Sequence, residues 1–387
     1  MKLLHKTLRP ERLARHLRDR LATAWRIPGR PTVALVGDGA RWSIREDQRH
    51  LAEHLRSMGF GVRRIRDVTA ARGGLVHVLD RGALLKLDPR RVAGGVRLVL
   101  TWYHGSPEDP DFEAMYEALR RWLPRVAAVV TSCQITRRDL IRGGVEDAKI
   151  VVVPLGVDLD VFGPLDGAGR RAARAAWGVE EGQIAVGSFQ KDGAGWGEGQ
   201  RPKLIKGPDL FLETLDRWRA DRPADRIKVL LTGPARGYVQ SGLDRRGIAW
   251  THRNLAEPAE MARAYGALDL YVIASRCEGG PKALLECWAA GVPVVGHRVG
   301  MVADWLIEGQ TGLSVEVGDT AGLAAACGRM VSERDLRARC VSSARDRVGE
   351  LTWRRSAEAL AEGVYRPLLA GRRPGSDRVG GNAAIPQ

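Results

Sequence analysis

No run of eighteen apolar residues occurs anywhere in this chain, so no segment is expected to cross a bilayer as a helix. Paired cysteines are missing too. The five thiols, Cys133, Cys277, Cys287, Cys327 and Cys340, form an odd, scattered set without a Cys-x-x-Cys. That argues against a disulfide framework and against zinc, and leaves reduced, mostly buried thiols. Met1-Lys2-Leu3-Leu4-His5-Lys6 opens like a signal peptide, but charge returns before an apolar stretch forms. The chain is therefore expected to stay in the cytoplasm. There is no Gly-x-Ser-x-Gly, no Walker lysine motif and no His-Glu-x-x-His, which leaves serine hydrolase, P-loop ATPase and zincin chemistry without support. Gly37-Asp38-Gly39 is not part of a Gly-x-Gly-x-x-Gly, and no ribose-binding acid follows near position 57, which rejects a nicotinamide site.

What is present suits two globular domains: 387 residues, 44% of them apolar. The net charge is +15, and the first 30 residues hold nine Lys/Arg against Glu11 and Asp19, a net of +7. Pro10 and Glu11 can start a helix with Leu13, Leu17, Leu21 and Trp25 along one face. Such a basic amphipathic helix either lies peripherally on an anionic membrane or packs its leucines on the protein and leaves its arginines in water. The high charge also raises the alternative of a nucleic-acid-binding protein. The arginines, however, spread through many helices with no recognised binding module, so no nucleic acid is expected as a partner.

From Thr32 onward, short apolar segments alternate with helical ones. Strands are expected at 32–36, 62–65, 75–79, 98–102, 126–130 and 150–153, with a helix opened by the capping box Ser43-Ile44-Arg45-Glu46 and ended by Gly59. A second series follows at 184–188, 228–232, 268–274, 292–295 and 313–315. This is an α/β pattern of two Rossmann-like units with parallel sheets covered on both sides. The expected division is a basic segment 1–30, an N-terminal domain 31–165, a C-terminal domain 166–350 with a linker around Gly163–Gly169, a final helix 351–370, and a glycine-rich disordered tail 371–387.

The most informative stretch is Ala274-Ser275-Arg276-Cys277-Glu278-Gly279-Gly280-Pro281-Lys282-Ala283-Leu284-Leu285-Glu286. An apolar strand leads into a glycine turn, and Pro281 is suited to the first turn of a helix that stops at Gly291. Bare amides and the helix dipole favour an anion there. Glu278 sits in the turn and Glu286 about two turns into the helix, a layout that suits a sugar diphosphate: phosphates on amides, hydroxyls on carboxylates.

Glu278 and Glu286, with Glu286-Cys287-Trp288-Ala289-Ala290-Gly291-Val292-Pro293-Val294-Val295, Gly300 and Glu308-Gly309-Gln310-Thr311-Gly312-Leu313, resemble the donor site of the retaining, nucleotide-sugar-dependent GT-B glycosyltransferases of family 4. The resemblance runs from about Thr32 to Leu369 and is strong in the second half and thin in the first. It implies the GT-B fold: two Rossmann-like domains facing across a cleft, with a C-terminal helix, here Trp353–Leu369, crossing back to the first domain. It also implies sugar transfer to an acceptor hydroxyl (a glycan, a lipid-linked group or a small molecule) with retention, in cell-surface polysaccharide or glycolipid synthesis. A nucleotide-sugar epimerase or phosphorylase on the same fold is the alternative.

The departing diphosphate gains charge, which a metal or basic side chains must balance. Asp109-Pro110-Asp111 and Asp158-Leu159-Asp160 are the only kind of metal triplet to consider, and both are expected by chance at this length. No metal and no cofactor are therefore expected, the nucleotide sugar being a co-substrate. By resemblance Lys206 and, where the family's arginine is replaced by Ser188, Lys191 serve the diphosphate. Gly279, Gly280, Pro281, Lys282 and Glu286 complete the donor site, with Glu286 on the ribose hydroxyls and Glu278 on the transferred sugar or its phosphate. Gly233 lies in the loop near the nucleotide base, and Arg236 beside it is either a phosphate or base contact or a solvated arginine. His104, beyond the strand at 98–102, is either a structural histidine or, by resemblance, a contact near the reacting carbon. Gly37 and Gly39 are either a tight turn or, by resemblance, the loop bordering acceptor and sugar.

Overall fold

The computed structural model describes residues 30–37, 43–85 and 87–375. The basic segment apart from Arg30, Asp38 and Gly39 of the first glycine loop, and the tail from residue 376 lie outside them.

The chain forms two compact units, each built on a six-stranded sheet. The first sheet contains β1 (Thr32–Val36), β2 (Gly61–Ile65), β3 (Gly74–Val78), β4 (Val96–Thr101), β5 (Val126–Thr131) and β6 (Ile150–Val152), in the order β2-β1-β3-β4-β5-β6. The second contains β7 (Gln183–Phe189), β8 (Arg226–Thr232), β9 (Ala249–Arg253), β10 (Leu270–Ile273), β11 (Val294–His297) and β12 (Leu313–Val315), in the order β12-β11-β10-β7-β8-β9. Every pairing is parallel. Parallel strands are covered on both faces, and the apolar runs of strands such as β1, β5 and β10 follow from that burial. In the second unit the helices Pro208–Asp221 and Thr320–Ser332 supply Phe211, Leu215, Trp218, Leu323, Cys327 and Met330 to a core shared with Val229 and Leu231 of β8.

One strand escaped the sequence. β9, with Ala-Trp-Thr-His-Arg, is an edge strand whose residues are exposed or half-buried, so it carries no apolar run. The expected helix start also shifts. Ser43 is already helical in Ser43–Ser57, one position inside the turn that a capping box would place before it. The division of the chain differs from the expectation as well. Residues 154–165 belong to the second unit, because the Val157 amide bonds the Leu351 carbonyl at 2.9 Å, and Leu155 and Leu165 pack against Gly280 and Gly266.

The last helical stretch belongs to the first unit, as the GT-B architecture requires. Trp353 stacks on His50 with ring centroids 5.3 Å apart. The stretch is helical over Trp353–Leu360, widens to a π turn over Ala361–Tyr365, and resumes at Arg366–Leu369. Pro367 explains the widening: it lacks an N–H and cannot bond the Gly363 carbonyl, which instead accepts the Gly375 amide at 2.9 Å. The π turn presents Tyr365 to the buried His77 of β3. Its hydroxyl lies 2.6 Å from Nδ1, while Nε2 lies 2.8 Å from the Thr101 hydroxyl of β4.

Burial pushes the His77 pKa down to about 3, so the native fold holds a neutral imidazole where the unfolded chain binds a proton. Between pH 6.5 and 3 the unfolded state carries the extra proton, and stability falls as pH falls. The expected contribution approaches about 1.4 kcal/mol per pH unit at its steepest. Comparing the pH dependence of unfolding for wild type and His77→Gln isolates it: the variant should show the shallower fall with acid, and equal slopes would exclude this origin.

Candidate active site

In the second sheet the chain runs from β7 outward to β8 and β9, then returns to place β10 on the other side of β7. The carboxyl ends of β7 and β10 thus meet at a topological switch point, the usual ligand position in an open α/β sheet. Two loops leave from there, residues 190–207 and 274–281.

Backbone contacts bind these loops to each other. The amides of Arg276 and Cys277 both donate to the Ile205 carbonyl, at 2.9 and 3.1 Å. Gly207 has φ +61°, and a Cβ there would sit 1.9 Å from the Ala274 carbonyl oxygen, so only glycine allows this approach. Gly300 does the same from the other side. Its φ is +49°, a Cβ would lie 2.1 Å from the Gly279 oxygen, and the Met301 amide donates to that oxygen at 2.7 Å. With its carbonyl tied back, the turn leads into the helix Lys282–Ala290, which has Pro281 as N-cap and Gly291 in left-handed conformation at its end. The amides of Gly279, Gly280 and Ala283 donate to no backbone carbonyl among the described residues. Three N–H groups at a helix start, together with the dipole, make an anion receptor.

Two of the expected residues are directly joined. The Lys206 ammonium lies 2.7 Å from both oxygens of Glu278, and the Ser275 hydroxyl donates to Oε1 at 2.8 Å. Both side chains are largely buried, with 19% and 10% of their surface exposed. The Lys206 carbonyl accepts from the Gln190 side-chain amide at 3.1 Å, which ties the pair to the loop after β7. Glu286 is the fifth residue of its helix, little more than one turn in rather than two. Its Oε2 accepts the Tyr265 hydroxyl at 2.6 Å. Lys282 is the first residue of the same helix and is half-buried.

The long glycine loop is held rather than free. Gly193 bridges Pro202, the Ala194 amide donates to the Arg201 carbonyl, and the amides of Gly237 and Tyr238 donate to the Glu198 and Gly199 carbonyls. Gly193 and Gly199 press against Ala235, which has the one positive φ of a non-glycine among the described residues, +57°. Gly233, at φ +92°, packs close to the Gln190 carbonyl, and its own carbonyl lies 2.8 Å from His252 Nε2. Lys191 places its ammonium 4.5 Å from the ring centre of Trp196, which is 70% exposed at the loop tip.

Arg236 is not a solvated arginine, and its guanidinium is turned inward to internal partners. It is 1% exposed. Its Nε donates to Asp192 at 2.9 Å, and its other nitrogens donate to the Ser188 and Thr232 carbonyls and to the Ser188 hydroxyl. Sequence reasoning missed the reason, because Asp192 stands 44 residues away in a glycine-rich stretch. The buried pair fastens the loop after β7 to the loop after β8. Burial raises the Asp192 pKa while the guanidinium opposes the rise.

His104 and Gly37 belong to the other unit. The Arg81 guanidinium donates to the His104 carbonyl and lies 3.4 Å from its Nε2, while stacking on Trp102 and Phe112 at 4.8 and 5.0 Å. The Tyr116 hydroxyl donates to the Gly105 carbonyl at 2.6 Å. At Gly37 a Cβ would touch the Gln48 side chain at 3.2 Å, and Gln48 itself donates to the Leu35 carbonyl. The Asp-x-Asp triplets make turns: Asp109 caps a short 3-10 helix and Asp158 accepts the Asp160 amide. Among the described residues no group of three or more His, Cys, Asp or Glu could hold a metal ion.

A buried ion pair with one partner removed leaves an uncompensated charge, at a cost of about 3–5 kcal/mol. Arg236→Met should therefore lower the urea midpoint sharply, and Asp192→Leu in the same chain should recover much of the loss. A single variant as stable as wild type would show that the pair does not fasten the loops.

Known families match along both units. The description "Glycosyltransferase Family 4" matches residues 11–161, and "Glycosyl transferases group 1" matches residues 199–333. D-inositol 3-phosphate glycosyltransferase of Geodermatophilus obscurus is 33% identical over 234 residues, 56% of this chain and 47% of the relative. The Stackebrandtia nassauensis protein of the same name is 29% identical over 261 residues, 62% of this chain and 54% of the relative. The chain thus spans about half the length of these relatives. Among solved structures, Anabaena HepE in complex with UDP-glucose aligns with a TM-score of 0.72 at 15% identity, covering 88% of this chain and 99% of HepE. Sucrose-phosphate synthase from Thermosynechococcus elongatus aligns at 0.71 with 19% identity, covering 88% of this chain and all of that one. Those two likenesses show the GT-B fold, and the two family matches, one on either unit, show regions of the glycosyltransferase family 4 and group 1 kinds carried on it.

Proposed function

We propose that the protein transfers a sugar from a nucleoside diphosphate sugar to an acceptor hydroxyl, with retention of configuration and without a metal. The observation that carries this reading is the Lys206–Glu278 pair beside the amides of Gly279, Gly280 and Ala283, which donate to no backbone carbonyl among the described residues. The amides and the ammonium offer the diphosphate positive partners that need no reorganisation as the leaving group gains charge. Glu278, once its lysine turns to phosphate, accepts hydroxyls of the transferred sugar, with Ser275 holding the carboxylate in place. Glu286 accepts the ribose hydroxyls. Lys191 adds a second cation by leaving the Trp196 ring.

In the step itself the acceptor oxygen bonds to the anomeric carbon as the bond from that carbon to the diphosphate oxygen breaks. The acceptor proton passes to the departing phosphate on the same face, so no carboxylate nucleophile is required. His104, with its backbone held by Arg81, is assigned to the sugar near the reacting carbon, and Gly37 and Gly39 to the loop that borders the acceptor. The UDP-glucose in HepE and the inositol phosphate in the relatives' name support a nucleotide donor and a polyol acceptor. A role in cell-surface polysaccharide or glycolipid synthesis at the inner face of the membrane would suit the basic N-terminal segment. No helix of the described residues is long and apolar enough to cross a membrane.

A panel of UDP-, GDP- and ADP-sugars should reveal one that raises the melting temperature. Free nucleoside diphosphate should then appear only when an acceptor is added. Glu286→Ala should weaken nucleotide binding tenfold or more, since a hydrogen bond to a charged group contributes roughly 1.5–3 kcal/mol. Calorimetric titration with unchanged affinity in that variant, or no ligand in the whole panel, would reject the assignment.

A further inference from the structure

We infer that Tyr265 is the positioning residue that makes the second site carboxylate selective for a ribose diol. The inference rests on the donor reading above and assigns a residue that sequence reasoning did not find. Tyr265 lies on the helix Pro258–Gly266, which is not part of either loop at the switch point. Its ring is 1% exposed and is wedged among aromatic neighbours: Phe189 at 4.9 Å, Tyr271 at 5.9 Å and Phe162 at 6.1 Å between ring centres. Phe189 closes β7, and its amide donates to the Tyr271 hydroxyl at 2.9 Å, so the wall behind Tyr265 is itself fixed.

From that wall the phenol reaches Glu286 Oε2 at 2.6 Å. A neutral O–H donating to a carboxylate is a short, charge-assisted bond, about twice as strong as one between neutral groups. The phenol donates its one proton to Oε2 and so holds that oxygen in place. Burial and the Glu286 charge both raise the Tyr265 pKa, which keeps the phenol protonated at every working pH. A glutamate on a helix has three rotatable bonds, and this contact restricts them by holding one of its oxygens. With it, one carboxylate oxygen is in position before the ligand arrives, which lowers the ordering cost of recognising two vicinal hydroxyls.

The test uses calorimetric titration of the full chain with UDP, GDP and ADP, and with the 2′,3′-dideoxy form of the nucleotide that binds most tightly. Wild type should prefer the ribonucleotide. Tyr265→Phe, which keeps the ring, should weaken the ribonucleotide about tenfold and leave the dideoxy form unchanged. In the Glu286→Ala background, adding Tyr265→Phe should cost nothing further. An equal loss for both nucleotides, an additive double variant, or no loss would overturn the role of Tyr265 while leaving the donor site intact, provided Glu286→Ala still weakens the ribonucleotide. If Glu286→Ala has no effect, or if no nucleotide binds, the donor reading itself fails and this inference with it. Unaltered far-UV circular dichroism separates these outcomes from misfolding.

Discussion

An ammonium group balanced between the two oxygens of a carboxylate, next to amides that meet no backbone carbonyl among the described residues, is the arrangement on which the rest of this molecule depends. Each half would be costly alone. A buried carboxylate without a cation loses its hydration, and so does a buried lysine without an anion. Together Lys206 and Glu278 tolerate partial burial, with Ser275 supplying an additional hydrogen bond. The pair is therefore stable without a ligand and yet presents the charge a diphosphate would need.

Holding that pair in position takes backbone contacts closer than side chains allow. Gly207 and Gly300 press on opposite sides of the turn that carries Glu278, and Gly280 lets Leu155 and Met301 reach the turn from the same unit. Behind these contacts lies the buried Arg236–Asp192 pair, which adds a charged tie between the loop after β7 and the loop after β8. The sheet brings the strand ends together, the glycines bring the backbones into contact, and the ion pairs then fix the charges.

Much of this was legible from the residues. Each strand expected from the sequence forms, and the boundaries of β1 and β12 coincide with the reading. The strand, glycine turn and helix around Glu278 are likewise written locally, as is the stop at Gly291. What was not legible depends on partners far apart in the chain. β9 is an exposed edge and has no hydrophobic period to read. Arg236 reads as a loop cation until Asp192 is beside it, and Tyr265 reads as a core aromatic until its hydroxyl meets Glu286, 21 residues on. The ownership of residues 154–165 was hidden for the same reason, since Leu155 and Leu165 find their packing only after the chain returns.

The contact between His77 and Tyr365 has a temporal meaning. It joins residues 288 positions apart, with the whole of the second sheet between them in the chain. On a ribosome, β3 and β4 emerge long before the segment that covers them. Their imidazole and hydroxyl must wait, solvated or transiently paired, while the intervening unit completes its own core from nearer neighbours. Closing so long a loop is slow relative to local pairing. The order of maturation is thus built into the connectivity: the unit begun first is the one finished last.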